Sequence, residues 1–316
     1  MRLPAPLRTV VLLVVAALPF VAAPTARAAE PDYSGYEALL RRYIVPIGGK
    51  GAPYDTRFDY EQLYIDEDIW RLKRSPRLES ILTQVLAVDL TTMTPAERKA
   101  WSINAYNLLV VRHMTLNLLV PNRKFLRYDS PHEVRTPEGA FFASPAAVFG
   151  GERWSLTGFM WRFVYGDTTC ASLADGFMPR EAGGDPRLSL ALVHGTIGTG
   201  PLLPWAYRAD SLEAQLDRAT RLALAVPTRV RLDARANVLW VSNRFFEDRA
   251  DFGGPSLPAL MPLLQRHAPQ AVRRAITQRK LTRPDHFFEP NLKLNQYDHP
   301  AGSAPGGVKP DTTTRR

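Results

Sequence analysis

Trp101-Ser102-Ile103-Asn104-Ala105-Tyr106-Asn107-Leu108-Leu109-Val110-Val111 is the stretch on which the reading of the chain turns. It lies early in the longest periodic element, which starts where Thr94 precedes Pro95 and Glu97. That is an N-cap with proline at the first helical position. The period carries through Ile103, Leu108, Val110, Val111, Met114 and Leu118 and stops at Pro121, so a helix is predicted over residues 95–120. A core helix this long needs other elements to cover it. Asn104 and Asn107 are three residues apart and share a face. Burying an unpaired amide costs about 1–3 kcal/mol, so both need partners. They read either as the polar wall of a pocket or as a network that pins the backbone of a following loop.

Upstream, Tyr33, Tyr36, Leu39, Leu40 and Tyr43 recur at helical spacing, and residues 60–73 and 77–88 read as two more helices. Residues 48–53 read as a loop. Downstream, residues 121–151 hold no sustained period and read as a long loop that Phe141 and Phe142 tuck onto the core. A helix is expected over 157–164. The apolar run 188–193 reads as a buried strand that empties into the loop His194-Gly195-Thr196-Ile197-Gly198-Thr199-Gly200-Pro201. Asp210 with Glu213 reads as a capping box for a helix to Ala225. Residues 228–232 and 238–241 read as a hairpin, and 257–266 and 269–280 as C-terminal helices. The expectation is one α+β domain over residues 29–300, rich in helices, with a small sheet.

Both ends of the chain read differently. Arg2 and Arg8 precede an apolar stretch from 9 to 23, and Ala26-Arg27-Ala28 is a small-x-small cleavage site. This is the layout of a secretory signal peptide over residues 1–28. The stretch is short for a membrane span and contains Pro19. Residues 301–316 are Gly, Pro, Thr and Arg without apolar anchors and read as a disordered tail. The expected product is periplasmic or secreted.

The 316 residues are 45% hydrophobic and 22% charged, which excludes disorder of the whole chain and a multispan membrane protein. One cysteine excludes an intrachain disulfide and any Cys-based zinc or iron–sulfur site. Loss of Arg2, Arg8 and Arg27 with the leader lowers the formal charge from +9 to +6. An equal excess sits in residues 266–283, which carry no acid. For an exported chain that segment suggests an anionic envelope surface, met through Arg273, Arg274, Arg279 and Lys280, rather than nucleic acid. The alternative is a solvated helix face with Val272, Ala275 and Ile276 turned inward.

The glycine-rich loop allows close backbone approach to a ligand. It lacks the phosphate-loop Lys and the dinucleotide glycine spacing, so no cofactor is implied. Arg187, Ser189, His194 and Thr196 join Asn104 and Asn107 as candidate ligand-binding residues. The weaker catalytic candidates are His194 as general base with Cys170 or Thr199, or else Thr196, as nucleophile. A Cys170, His194, Asp210 set is imaginable in chain order. The six histidines show no paired ligand spacing, so no metal is expected.

The order of Tyr36-Glu37-Ala38-Leu39-Leu40, Phe58-Asp59-Tyr60, Ile103-Asn104-Ala105-Tyr106-Asn107, Asp185-Pro186-Arg187, Ala206-Tyr207 and Asp251-Phe252 resembles the family called domain of unknown function 547. The resemblance runs from about 33 to 297. It implies no activity, because the family has none assigned. The family pattern carries Glu and His where this chain has Met160 and Trp161, His at Ser189, and cysteines at His194 and Thr199. The polar and nucleophilic groups of that centre are replaced, while the Asn helix and Asp185-Pro186-Arg187 remain. The leading expectation is a non-catalytic binding or envelope-interaction role through a pocket between the Asn-bearing helix and the loop. A hydrolase or transferase with a rearranged centre around His194 is the rival.

Overall fold

The computed structural model describes residues 30–48, 50, 52–117, 128–174 and 184–299. The leader (1–28), the C-terminal tail (301–316) and the last turn of the predicted long helix lie outside those residues. The α+β class holds, with its strands spread over several small sheets.

Helix α5 (Pro95–Asn117) is the axis of the molecule. A reciprocal capping box starts it: the Thr94 backbone and hydroxyl both donate to Glu97 at 2.7 Å, and the Glu97 amide donates back to Thr94 Oγ1 at 3.3 Å. Every residue from 100 to 111 is buried. A helix apolar all round, with its few polar groups satisfied, belongs in a core. Around it pack α1 (Ser34–Tyr43), α2 (Tyr60–Asp66) and α4 (Pro76–Leu86). The predicted helix over 60–73 breaks after α2, because Asp68 takes a left-handed φ of 54° before the short α3 (Ile69–Leu72). The expected loop over 48–53 is the turn of a hairpin, β1 (Ile44–Ile47) against β2 (Asp55–Phe58).

From residue 128 on, the stretch read as a long loop holds two hairpins, β3 (Arg135–Thr136) with β4 (Gly139–Ala140) and β5 (Pro145–Phe149) with β6 (Glu152–Ser155), and its residues 121–127 lie outside the described ones. Such short strands leave too few alternating residues for a period to register. The helix expected over 157–164 is α6 (Leu156–Phe159), continued by a π turn over Met160–Val164. Its aromatic residues Phe159 and Phe163 stack around Trp101 and Phe149.

The buried strand predicted over 188–193 is not a strand. Leu188–Ala191 is a single helical turn, α7, and only then does the chain extend. The run is apolar but for Ser189 because it lies between two hydrophobic clusters. Leu190 faces the second, while Leu188, Ala191, Leu192 and Val193 face the first. Burial from both sides erases the periodicity that separates helix from strand.

The second cluster is built by α8 (Leu212–Ala225), the hairpin β7 (Val230–Asp233) and β8 (Val238–Ser242), and helices α9 (Arg244–Glu247), α10 (Leu260–His267) and α11 (Gln270–Arg279). Strand β9 (His286–Phe288) adds parallel to β8. The capping box read at Asp210 and Glu213 does not form. Ser211 is the N-cap, and its hydroxyl turns back to Asp210. On α11, Val272, Ala275 and Ile276 point inward. Arg273, Arg274 and Lys280 are exposed, and Arg279 is paired with Asp285 at 2.6 Å. Among the described residues no helix is long and apolar enough to cross a membrane.

Candidate functional site

The loop after α7 is fixed from two sides. The Ile197 amide donates to Lys293 O at 2.9 Å, Gly198 to Asn291 O at 2.7 Å, and Asn295 to Gly195 O at 2.8 Å, so residues 290–297 strap it down. From behind, buried Arg229 donates to the carbonyls of Ile197 and Thr199. Burial pushes the Arg229 guanidinium down to about 10. Two glycines are required for shape. Gly195 takes φ +73°, and a β-carbon at Gly200 would collide with the Leu190 carbonyl.

The two asparagines serve this frame. Asn104 accepts from the Tyr207 amide and donates to the Tyr207 carbonyl, both at 2.8 Å. Asn107 donates to Ala191 O and accepts from the Val193 amide, both at 3.0 Å. Each side chain copies the donor–acceptor edge of a neighbouring strand, and both are buried. Of the two readings of these residues, the structure has the network. Arg187 is likewise spent, on Asp185 at 2.7 Å, Asp217 at 2.6 Å and Glu213 at 2.5 Å, and ties α7 to α8. Ser189 donates to Pro186 O at 3.2 Å, and Thr199 to Thr196 O at 2.9 Å. Ser189 and Thr199 border a water-sized void of about 10 Å³ behind the loop.

His194 faces a larger cavity of about 230 Å³. Thr196 and Gly198 continue its loop wall. The α5 wall is Tyr106, on the face next to the asparagines, so Asn104 and Asn107 do not reach it. Phe141 and Phe142 form the third side and Thr157 and Met160 the fourth. Pro290 and Leu292 close it from the C-terminal strap. His132, Ala140 and Leu292 are exposed and mark the mouth. Met160 and His194 thus line the same cavity. Arg187 and Ser189 do not line it.

The chemistry of His194 is set by Arg244, which sequence reasoning missed. Arg244 is the first residue of α9 and donates through Nη2 to His194 Nδ1 at 3.1 Å. An arginine only donates, so Nδ1 is the acceptor and the neutral ring carries its hydrogen on Nε2. His194 is 8% exposed, and among the described residues no protein group bonds Nε2. Burial first, then the charge of Arg244, holds the imidazole well below its ordinary pKa. Arg244 also pairs with Asp248 at 3.0 Å and Glu247 at 3.3 Å. Burial raises Asp248 to about 6 despite Arg244. The i, i+3 and i, i+4 acids after Arg244 were a legible helix pattern. The link to a histidine fifty residues earlier was not.

The catalytic sets considered from sequence do not assemble. Cys170 is buried and lines no part of the cavity, and its thiol donates to the next carbonyl, Ala171 O, at 3.4 Å. No helix starts beside it, and burial raises its thiol pKa. Asp210 is exposed, and the ring partner of His194 is Arg244. Among the described residues no cluster of three His, Cys, Asp or Glu side chains is placed to hold a metal ion.

Neither a curated protein nor a solved structure matches the chain. Residues 90–222, which include Asn104, Asn107, Arg187 and His194, match the model of the family described as "Protein of unknown function, DUF547".

Proposed function

We propose that this protein is exported and binds a small molecule in the His194 cavity without transforming it. The observation that carries the binding reading is a walled cavity of about 230 Å³, lined by aromatic and aliphatic side chains together with His194 and Arg244. Ligand sites are concave, mostly apolar, and hold a few placed polar groups. This one has an aromatic and aliphatic wall from Tyr106, Phe141, Phe142, Met160 and Leu292, with one polar end.

The hydrolase or transferase reading has less support. A general base must accept a proton, whereas Nδ1 is held by Arg244 and the ring hydrogen sits on the buried Nε2. No Ser, Thr or Cys among the described residues bonds Nε2. Export rests on the leader chemistry alone. Protein recovered from its native host then begins at Ala29, and full-length protein retained in the cytosol would refute that part.

The binding part is tested with fluorinated aromatics followed by ¹⁹F NMR on the purified protein. At least one of 4-fluoroacetophenone, 4-fluoro-α-methylstyrene and 4-fluorobenzoate binds saturably. Ala140→Trp, at the exposed mouth, weakens that binding roughly tenfold or more by filling the entrance. Absence of saturable binding by all three, or indifference to Ala140→Trp, overturns the reading.

A further inference from the structure

Away from the cavity, one turn of the chain leaves two large apolar side chains in solvent. Ile69 is the inward residue of α3 and is buried, so the next three, Trp70, Arg71 and Leu72, are turned out. Trp70 is 57% exposed, more than any other Trp, Phe or Tyr among the described residues, and Leu72 is 37% exposed. Left-handed residues bound the turn, Asp68 at φ 54° and Lys73 at φ 55°. The Asp68 carbonyl accepts from the Arg71 and Leu72 amides at 3.0 and 2.9 Å, so the two apolar side chains are held out on a hydrogen-bonded backbone. We infer that this turn is a membrane-contacting element. It seats Trp70 and Leu72 in the headgroup layer of an anionic bilayer and sets Lys73, Arg74 and the neighbouring arginines against the lipid phosphates.

Charge selects that partner. Three acids precede the turn, and each is taken by an arginine: Asp66 by Arg42 at 2.7 Å, Glu67 by Arg77 at 3.1 Å and Asp68 by Arg71 at 2.6 Å. Lys73 and Arg74 are exposed, and among the described residues no acid pairs with either. Five cations thus stand against three acids, and the excess of two lies directly beside the apolar pair. Arg42 and Arg77 also line an open groove of about 590 Å³ between α1 and α4, with Ala38, Leu39 and Ile81, which carries the basic rim onward from the turn. Tryptophan settles at membrane–water interfaces, and Lys and Arg reach headgroups while their stems cover apolar surface. A protein interface is depleted in lysine, and a leucine offers a nucleic-acid base no ring to stack on. Helix α11 is the internal comparison. Arg273, Arg274 and Lys280 are exposed there, yet among the described residues α11 exposes no large apolar side chain, so it can attract phosphates without inserting.

The test places an environment-sensitive NBD fluorophore on Leu72→Cys in the full chain, where Cys170 is buried and stays unlabelled. The fluorophore reports on the turn itself, so a leader retained by the purified chain does not produce the signal. Phosphatidylcholine vesicles carrying about a quarter phosphatidylglycerol raise the emission and shift it to the blue, whereas pure phosphatidylcholine vesicles do not. Added salt reverses the rise. In co-sedimentation with the anionic vesicles, Trp70→Ser weakens binding roughly tenfold, because the ring no longer leaves water. That position is exposed, and an unchanged urea midpoint checks the variant's fold. Lys73→Glu with Arg74→Glu weakens binding at least as much. Arg273→Glu with Arg274→Glu, on α11, leaves the NBD signal in place at saturating vesicles. Equal response to both vesicle types overturns the inference, as does emission that stays as in water while the protein sediments with anionic vesicles. An emission rise that grows with protein concentration in the absence of vesicles also overturns it, and assigns the turn to a contact between copies of the chain.

Discussion

Two buried polar constellations lie within a few residues of each other, and they are finished to different degrees. Asn104 and Asn107 commit both ends of each amide to backbone partners on Tyr207, Ala191 and Val193. His194, directly after Val193, commits one ring nitrogen to Arg244 and leaves the other without a protein partner. A satisfied network fixes a chain path. A half-satisfied group fixes less of it. Both types are polar, buried and near the same loop, so residue identity and burial do not separate structural from functional positions. The accounting of hydrogen-bond partners does.

That contrast can be broken most directly at the finished end. Asn107→Leu strands the Ala191 carbonyl and the Val193 amide in the core, and stability falls by about 3 kcal/mol, read from urea unfolding. A loss under about 1 kcal/mol would mean that the loop path does not depend on this bridge.

The next effect is acid sensitivity from a second buried histidine on α5. His113 bonds Ser144 at 3.0 Å, and burial lowers it from 6.5 to about 4. The unfolded chain therefore binds a proton near pH 6.5 that the folded chain refuses until about 4. Its contribution to stability is intact above 6.5 and falls as pH drops toward 4, by about 2 kcal/mol at pH 4.5. Asp248 acts in the opposite sense. Its pKa is raised from 3.8 to about 6, so its charging costs stability as pH rises through that window. Urea unfolding of His113→Gln against the parent isolates the histidine share: the stability difference shifts in favour of the variant by about 2 kcal/mol between pH 6.5 and 4.5. Parallel curves would place the proton uptake elsewhere.

The smallest change belongs to the unfinished constellation. His194→Phe removes an N–H that has no protein partner and one bond from Arg244, so unfolding stability moves by less than about 1 kcal/mol. A loss as large as that of Asn107→Leu would make His194 a second structural pin and erase the contrast.

Much of the frame was legible in the chain. The start of α5 followed from Thr94, Pro95 and Glu97, because capping chemistry is local. The inward face of α11 and the hairpin of β7 and β8 followed from period and turn. Leu188–Ala191 was misread, since a segment clamped between two cores has no polar side to betray its pitch. At the site, His194 and Thr196 were found through the glycine loop. Tyr106 was passed over because in a helix buried on all sides it looks like packing. Arg187 was assigned to a ligand because its three acidic partners come from one local and two distant positions.

The sequence by itself determined the elements whose causes lie within a few residues: caps, amphipathic faces, turns and the α+β class. A segment of 133 residues also matches one family model. Only the tertiary structure decided which polar residues were left over. Arg244, Pro290 and Leu292 come from outside that segment, yet they set the tautomer of His194 and close its cavity. Whether a buried nitrogen has a partner depends on groups fifty to a hundred residues away, brought close by the packing of two cores. No local pattern encodes that distance.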